Sequence, residues 1–440
     1  MSLKTPSKIR DLQRKLYRKA KAEPEFRFYL LYDKLYREDI LHHAYRVACA
    51  NGGAPGVDGQ TFKDIESKGV EEWLSGIRKE LQEKTYKPQP VLRVYIPKPG
   101  GGERPLGIPT IRDRVVQTAC KLVIEPVFEA DLEDNAYGYR PKRSAQDAIR
   151  LVHALLCQGY TEVVDADLSK YFDTIPHGDL MKSIARRIVD KNVLHLIKMW
   201  LKVPVVETGD DGKRRTISGK KSGRGTPQGG VISPLLANVY MNRFLKYWRL
   251  SGCEARFEAH VVSYADDFVI LSRGQARASL EWARQVMTRL GLTLNEEKTS
   301  IKHARKERFD FLGYSFGPHY FRKDGHWYLG ASPSMKSVQR IKQRIRDLLC
   351  PGNMGIWEDV RDRLNRVLAG WVNYFGYGTR LMAYRAVDQH VYNSVRHFLK
   401  RRHKVPTRGT RIYPMKRVHG ELGVISLRRL HLGAPPCALG

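Results

Sequence analysis

"VVSYADDFVIL", residues Val261–Leu271, sets two adjacent aspartates, Asp266 and Asp267, between two apolar runs. Val261, Val262 and Tyr264 on one side, and Phe268, Val269, Ile270 and Leu271 on the other, favour strand. The stretch therefore reads as strand, tight turn, strand, with two like charges at the tip. Neighbouring carboxylates repel, so either water solvates them or a cation offsets them. An isolated Asp-Asp pair is ordinarily a solvated turn. Here the flanking strands are strongly apolar and the surrounding chain is basic, which weakens that reading.

The chain has 440 residues, room for two or three domains, and 42% of them are hydrophobic. Its formal net charge is +31, from 77 Lys and Arg against 46 Asp and Glu. Such an excess points to a polyanionic partner, nucleic acid first and an anionic membrane surface second. No apolar run approaches the ~18 residues of a membrane span, and the polar, basic start "MSLKTPSKIRDLQRKLYRKAK" is not a signal peptide. Asp11, Glu23 and Glu25 argue against a transit peptide. The cysteines are scattered and none forms a C-x2-C pair, which disfavours a zinc site and suits a reducing compartment. The expected location is the cytoplasm.

Residues 1 to about 50 read as basic amphipathic helices, closed by the Gly/Pro-rich loop "NGGAPGVDG" (51–59). "VLRVYIPKPGGGERPLGIPT" (91–110) reads as two strands around a glycine turn, and 111–130 as helix. "EVVDADLSKYFDTI" (162–175) is a strand running into a turn or helix start; 176–202 is helical; "GRGTPQGGVISPLLANVYMNRFL" (223–245) is a loop entering an apolar helix. After the Asp-Asp hairpin come a helix (276–290) and an expected short pairing of "LTLNEEKTSI" with "FDFLGYSF". Beyond about residue 330 two amphipathic segments, "SVQRIKQRIRDLL" and "IWEDVRDRLNRVLAGWVNYFGYG", indicate a helical, basic second domain. Nine Lys/Arg and no acid lie between Arg396 and Arg417.

Mg²⁺ prefers hard oxygen ligands, and phosphoryl transfer by two such ions needs a small set of carboxylates at one place. Asp266 and Asp267 supply two. The leading candidate for a third is Asp167, the acid that ends the strand "VVDADL"; Asp165, on the same face by period two, ranks second.

The order "DLSKYFDTI", "TPQGGVISPLLANVYMN", "YADDFVIL", "LTLNEEKTSI", "FDFLGYSF" resembles the palm of a reverse transcriptase, and the whole set is similar to the bacterial group II intron reverse transcriptase (maturase) family. "GAPGVDG", "IPKPGGGERPLGIPTIRDRVVQ" and "NAYGYRP" resemble that family's early blocks, and "GWVNYFGYG" resembles part of its maturase or thumb domain. The resemblance spans roughly residues 40 to 400. It implies an α+β right-hand polymerase, fingers and palm with antiparallel sheet, plus a helical thumb/maturase domain. The implied division is a basic helical N-terminal extension (1–55), fingers and palm (56–325), a helical thumb (326–400) and a basic nucleic-acid-binding tail (401–440).

Carried over residue by residue, the resemblance implies that Asp167, Asp266 and Asp267 bind two Mg²⁺ ions. Lys98 and Arg104 would grip the incoming triphosphate. The Phe172 ring would exclude a 2′-hydroxyl, Gln228 would contact the nucleotide and template side of the pocket, and Gly229 and Gly230 would let backbone approach the bases. Lys298 would protonate pyrophosphate. Arg140 would brace the fingers or touch the template, and Tyr264 would neighbour the primer terminus. Arg340 and Arg344 in the thumb, and Lys400, Arg401 and Arg402 at the start of the tail, would contact nucleic acid. Tyr374 and Phe375 read as core rather than as stacking aromatics. Six to ten phosphate contacts would lose roughly 10³–10⁵ in affinity between low and moderate salt.

Longer family members end in an endonuclease domain with paired cysteines and histidines. The last 40 residues here carry one cysteine, Cys437, and no such pattern, so no endonuclease activity is expected. The implied function is RNA-directed DNA synthesis together with binding of group II intron RNA to assist splicing and retromobility. The implied partners are intron RNA, RNA template and DNA primer, dNTPs and a DNA target, with no membrane. Two alternatives stay open: a reverse transcriptase of the same fold domesticated for another role such as defence, and a non-enzymatic RNA-binding splicing factor.

Overall fold

The computed structural model describes residues 3–97, 102–209, 214–218, 223–321 and 324–433. Helices α1 (Ser7–Ala22), α2 (Tyr32–Leu35) and α3 (Glu38–Asn51) occupy the basic N-terminal segment. α1 buries Ile9, Leu16 and Ala20 and leaves most of its cations in water, as its amphipathic spacing requires. α4 (Phe62–Lys68) begins at a reciprocal capping box between Thr61 and Asp64, and α5 (Val70–Gln82) follows. β1 (Val91–Pro97) and β2 (Glu103–Ile108) form the expected antiparallel pair, with Ile96 opposite Arg104. α6 (Ile111–Glu129), capped by Thr110, is buried along much of its length, and α1 and α3 pack on it.

α7 (Ala145–Cys157) leads into β3 (Glu162–Asp167) and the single turn α8 (Tyr171–Thr174). The helical stretch expected over 176–202 is two helices, α9 (His177–Ala185) and α10 (Lys191–Leu201). The break falls at Asp190, whose carboxylate accepts from the amides of Asn192 and Val193 and also of Leu31 and Tyr32. β4 (Val205–Thr208), β5 (Arg214–Ser218), α11 (Ser233–Leu250) and α12 (Cys253–Arg256) follow. The Asp-Asp hairpin is β6 (Ala259–Tyr264) and β7 (Asp267–Ser272), succeeded by α13 (Ala276–Arg289). Next are β8 (Ser300–His303), β9 (Phe309–Phe311), β10 (Tyr314–Tyr320) and β11 (Trp327–Pro333). The C-terminal helices are α14 (Met335–Leu348), α15 (Trp357–Tyr374), α16 (Leu381–Arg402), α17 (Met415–His419) and α18 (Leu427–Gly433).

The strands make three sheets, ordered β2-β1-β4-β5, β6-β7-β3-β8 and β11-β10-β9. β1 and β4 run parallel; the β1–β2, β4–β5, β3–β8, β9–β10 and β10–β11 pairs are antiparallel. This is a mixed α/β fold with predominantly antiparallel strand pairs and a helical C-terminal region. Two compact units are present: Met1–Ser144 with Ala166–Phe268 and Arg277–Thr299, and Ala145–Asp165 with Val269–Ala276 and Ser300–Gly440. The first is centred on α6 and α11, where Tyr240, Phe244 and Trp248 are fully buried and Phe244 lies 5.3 Å from Phe268, ring to ring. The second has a core of Val338, Ile341 and Ile345 from α14 with Leu364, Leu368 and Val391 from α15 and α16.

One expectation is corrected here. "LTLNEEKTSI" does not pair with "FDFLGYSF": Ser300–His303 pairs instead with β3, from Asp165 opposite Ser300 to Glu162 opposite His303. "FDFLGYSF" turns back on itself, because Leu312 (φ 50) and Gly313 (φ 79) are both left-handed and make a two-residue hairpin joining β9 to β10. The segment expected as a basic nucleic-acid-binding tail (401–440) packs on the helical core over its described part. α16 runs to Arg402, and Tyr413, Val418, Val424 and Leu427 fill the same core as α14–α16. Buried Asp388 pins it by accepting from Ser426 Oγ, the Leu427 amide and Arg428 Nε. The apolar residues between the cations supply the burial that a solvated tail would lack. No described helix is long and apolar enough to cross a membrane.

Candidate active site

The hairpin tip is a two-residue turn in which Ala265 is left-handed (φ 59) and Asp266 is not. An alanine held there costs roughly 1–2 kcal/mol, so neighbouring structure must impose it. That structure is the "NAYGYRP" block. Ser263 donates its amide to Asn135 O (2.9 Å) and accepts from the Tyr137 amide (2.9 Å), so the block runs beside β6. Gly138 then lies flat against the turn: a Cβ there would be 2.3 Å from Ala265 N. Asn238 on α11 fixes this glycine by donating Nδ2 to its carbonyl at 2.7 Å. The buried strands on either side, Val261–Ser263 and Phe268–Leu271, anchor the tip.

Asp167 arrives at the end of β3. The Asn295 amide donates to Asp167 O (2.8 Å), Leu168 bridges Leu294, and the Ser169 amide donates to Thr293 O (2.9 Å), so the 293–299 loop clamps the strand end. Lys298 Nζ lies 3.0 Å from Asp167 Oδ2, and Asn295 Nδ2 is 3.4 Å from the same oxygen. Burial pushes the Asp266 carboxyl above its usual range, and the Asp167 charge adds to this; Arg104 and Lys298 pull it back. Asp167, Asp266, Lys298 and Arg104 therefore share one electrostatic neighbourhood. Asp165, the second-ranked third acid, stands opposite Ser300 in the β3–β8 ladder.

Among the described residues no three His, Cys, Asp or Glu side chains are gathered closely enough to hold a metal ion as they stand. The donor set nevertheless suits Mg²⁺: all oxygen, two carboxylates close enough for one to raise the other's proton affinity, and one of them meanwhile neutralised by a lysine with 64% of its side chain exposed.

Arg104 is exposed on β2 near the glycine turn; Lys98 lies outside the described residues. Phe172 is half-buried, edge-on to Tyr171 at 5.8 Å, while Tyr171 is fixed in the core by donating Oη to Ala237 O (2.7 Å). Gln228 donates Nε2 to Asp173 Oδ2 (3.2 Å), and its carbonyl accepts from the Gly107 amide at 2.5 Å. The close approach expected of Gly229 is made to protein: a Cβ there would lie 2.3 Å from Gly107 O, and one at Gly230 would lie 2.7 Å from Ser233 Oγ. The "PQGG" loop is thereby docked on β2.

Arg140, expected to brace the fingers or touch the template, is turned into the protein. Its side chain is 3% exposed and its guanidinium is spent on Glu129 and on the carbonyls of Glu133 and Ala136. Tyr264 is half-buried at the end of β6. Phe375 is buried against Tyr314 at 5.1 Å and belongs to the core, and Tyr374, half-buried, donates Oη to Leu312 O (2.9 Å). Arg340, Arg344 and Arg401 are exposed, Lys400 is half-buried, and Arg402 donates to Gly355 O (2.5 Å). Sequence reasoning missed Gly138, Asn238 and Asn295, which hold the carboxylates in place. It also missed Tyr139, left-handed (φ 57), whose phenol is pushed up first by burial and then by Asp266. The double "YGY" around a glycine was the available signal.

The reverse transcriptase (RNA-dependent DNA polymerase) profile matches residues 96–316, and the group II intron, maturase-specific domain profile matches 338–414. Protein YkfC of Escherichia coli (strain K12) is 36% identical over 343 residues, covering 70% of this chain and 87% of that protein. Group II intron-encoded protein LtrA of Lactococcus lactis subsp. cremoris is 30% identical over 351 residues, covering 65% of this chain and 56% of that protein. Among solved structures, telomerase from Candida albicans in complex with a fragment of telomeric RNA has a TM-score of 0.42 at 11% identity, over 81% of this chain and 70% of that one.

Proposed function

The chain belongs to the group II intron reverse transcriptase (maturase) family, and from that premise we propose that it is an RNA-directed DNA polymerase that extends a DNA primer on an RNA template, binds group II intron RNA and assists its splicing and retromobility. The observation that supports the reading best is the charge arrangement around the Ala265 turn. Carboxylates from two strands are held near one another, with Lys298 on one of them and Arg104 beside the other.

Asp167, Asp266 and Asp267 would hold two Mg²⁺ ions, and the chemistry supplied when these are bound is a lowered pKa of the primer 3′-hydroxyl and neutralisation of the leaving pyrophosphate. The remaining roles fall to side chains. Arg104, with its forked guanidinium, grips the triphosphate. Phe172, held edge-on to a core tyrosine, closes the space that a 2′-hydroxyl would need. Gln228, oriented by Asp173, faces the nucleotide. Lys298, with most of its side chain exposed, exchanges Asp167 for the pyrophosphate and gives up its proton there. Exposed cations of α14 and of the end of α16, Arg340, Arg344 and Arg401 among them, hold nucleic-acid phosphates.

The reading is tested with purified protein, an RNA template annealed to a DNA primer, dNTPs and Mg²⁺. Primer extension is expected, and dNTPs should be preferred over rNTPs. A Phe172→Ala enzyme should lose that sugar preference. An intron RNA flanking the reading frame should splice faster at low Mg²⁺ when the protein is added. No extension under any of these conditions would leave the chain an RNA-binding splicing factor.

A further inference from the structure

Away from the carboxylates, the first unit contains a cavity of about 650 Å³. It is walled by the α1–α2 connection, the end of α6, α9 and α11, and none of the residues assigned above to catalysis or nucleotide binding lines it. Six Lys or Arg line it against two acids, Glu25 and Asp131. Three of the cations, Arg27, Arg186 and Lys246, are exposed at its edge, and Lys182 has 81% of its side chain exposed.

The floor is built and the rim is left over. Asn242 donates Nδ2 to Asp131 O (2.9 Å) and accepts from the Glu133 amide (2.9 Å). Arg187, 5% exposed, faces Asp131 Oδ2 with Nε at 3.0 Å and donates to the carbonyls of Ala20, Glu23 and Phe26 (2.6, 3.0 and 3.1 Å). The buried guanidinium and the acid thus largely cancel. The Ala185 carbonyl at the end of α9, which would repel an anion, already accepts from Arg27 Nη2 at 3.1 Å. What remains is positive: exposed Arg186, Lys182 and Lys246 and half-buried Arg243, opposed by Glu25 and by Asp179, which lies 3.4 Å from Lys182.

We infer that this cavity is a second nucleic-acid site, which seats the phosphodiester backbone of structured RNA at a place separate from the polymerase centre. Its volume lies within the ~300–1,000 Å³ of ordinary ligand sites, and its cations surround an open mouth as phosphate contacts require. The identification of the polyanion as RNA rests on the proposed intron-binding function; the site itself rests on the geometry.

The test uses the full chain and a short RNA stem-loop followed by fluorescence anisotropy across a salt series. The triple variant Arg27→Glu, Arg186→Glu, Lys246→Glu should weaken RNA binding at least about tenfold and lower the salt slope by about two to three. A control with the same charge change on α4 and α5, Lys63→Glu, Lys68→Glu, Lys79→Glu, should shift affinity by much less. Primer extension at saturating template–primer should be the same in the triple variant and the wild type. Lysine acylation of the unmodified wild-type protein removes dependence on variant folding: RNA should shield Lys182 and Lys246. Inorganic phosphate and free dATP serve as competitors, and displacement of RNA by either at low concentration would assign the cavity to a small phosphate ligand and overturn the RNA site. Equal RNA affinity in the two triple variants, or equal reactivity of Lys182 and Lys246 with and without RNA, would also overturn it. Absence of primer extension in the wild type would instead defeat the polymerase reading and leave this result standing.

Discussion

Two tight hairpins, one in each unit, are built alike and end differently. Both join apolar strands through two residues and both force a non-glycine residue into the left-handed region, Ala265 (φ 59) and Leu312 (φ 50). At the Leu312–Gly313 tip the exposed polar groups are consumed. Leu312 O accepts from Tyr374 Oη (2.9 Å), and Gly313 O accepts from the Ser334 amide (2.9 Å) and Ser337 Oγ (2.8 Å). At the Ala265–Asp266 tip the protein supplies a flat glycine and clamps for the backbone, but it places a second acid, Asp167, near Asp266 and sets Lys298 and Arg104 against their repulsion. Equal strain thus serves packing in one hairpin and presentation of charge in the other. The gathering of charge, not the strain, distinguishes the turn proposed to be functional.

The comparison can be broken from either side. Gly138→Ala carries the largest expected effect on stability. Its methyl meets the Tyr264–Ala265 backbone, as close as 2.3 Å, so unfolding by denaturant should show a loss of about 2–3 kcal/mol together with reduced primer extension. Gly313→Ala should cost about 1–2 kcal/mol, from its φ of 79 and a 3.0 Å approach to Ser337 Oγ. Extension per folded molecule should be unchanged, because that tip presents no chemistry. Ala265→Gly should run the other way, relieving the left-handed alanine by about 0.5–1 kcal/mol while lowering the extension rate as the carboxylates loosen. Equal activity with higher stability would show that the strain has no part in positioning them.

The smallest effect is one of pH. The folded Asp266 carboxyl titrates above its unfolded value of 3.8, mainly through burial and then through Asp167. The folded protein therefore binds this proton more readily than the unfolded chain. Its contribution to stability is present below pH 3.8 and is lost as pH rises through the folded value. In metal-free buffer Asp266→Asn should raise the thermal midpoint at neutral pH, and the gain should shrink as the pH falls toward 3.8. A gain that is constant with pH would mean that Asp266 does not carry this cost.

The functional hairpin was readable because every signal it needs is local: alternating apolar residues, two acids and a β-prone flank within Val261–Leu271. Asp167 was readable for the same reason, as the acid at the end of an apolar strand. What holds the two together was not. Gly138 and Asn238 reach the Ala265 turn across long sequence separations, and nothing local distinguishes a glycine that must lie against another backbone from one that merely turns a loop. The pairing of Ser300–His303 with β3 was missed because "FDFLGYSF" looks like the nearer partner until Leu312 is seen to be left-handed. The packing of the segment after residue 400 was not legible because nine cations between Arg396 and Arg417 outweigh the sparse apolar residues that bury it.

The central claim is that the Ala265 turn presents carboxylates for polymerisation. It is tested most directly by measuring primer extension on an RNA template for the wild type and for Asp266→Ala with Asp267→Ala, alongside RNA affinity and the thermal midpoint of both. The account predicts a fall in extension on the order of 10⁴, with RNA affinity kept within a fewfold and no loss of thermal stability. Extension retained in the double variant would contradict it.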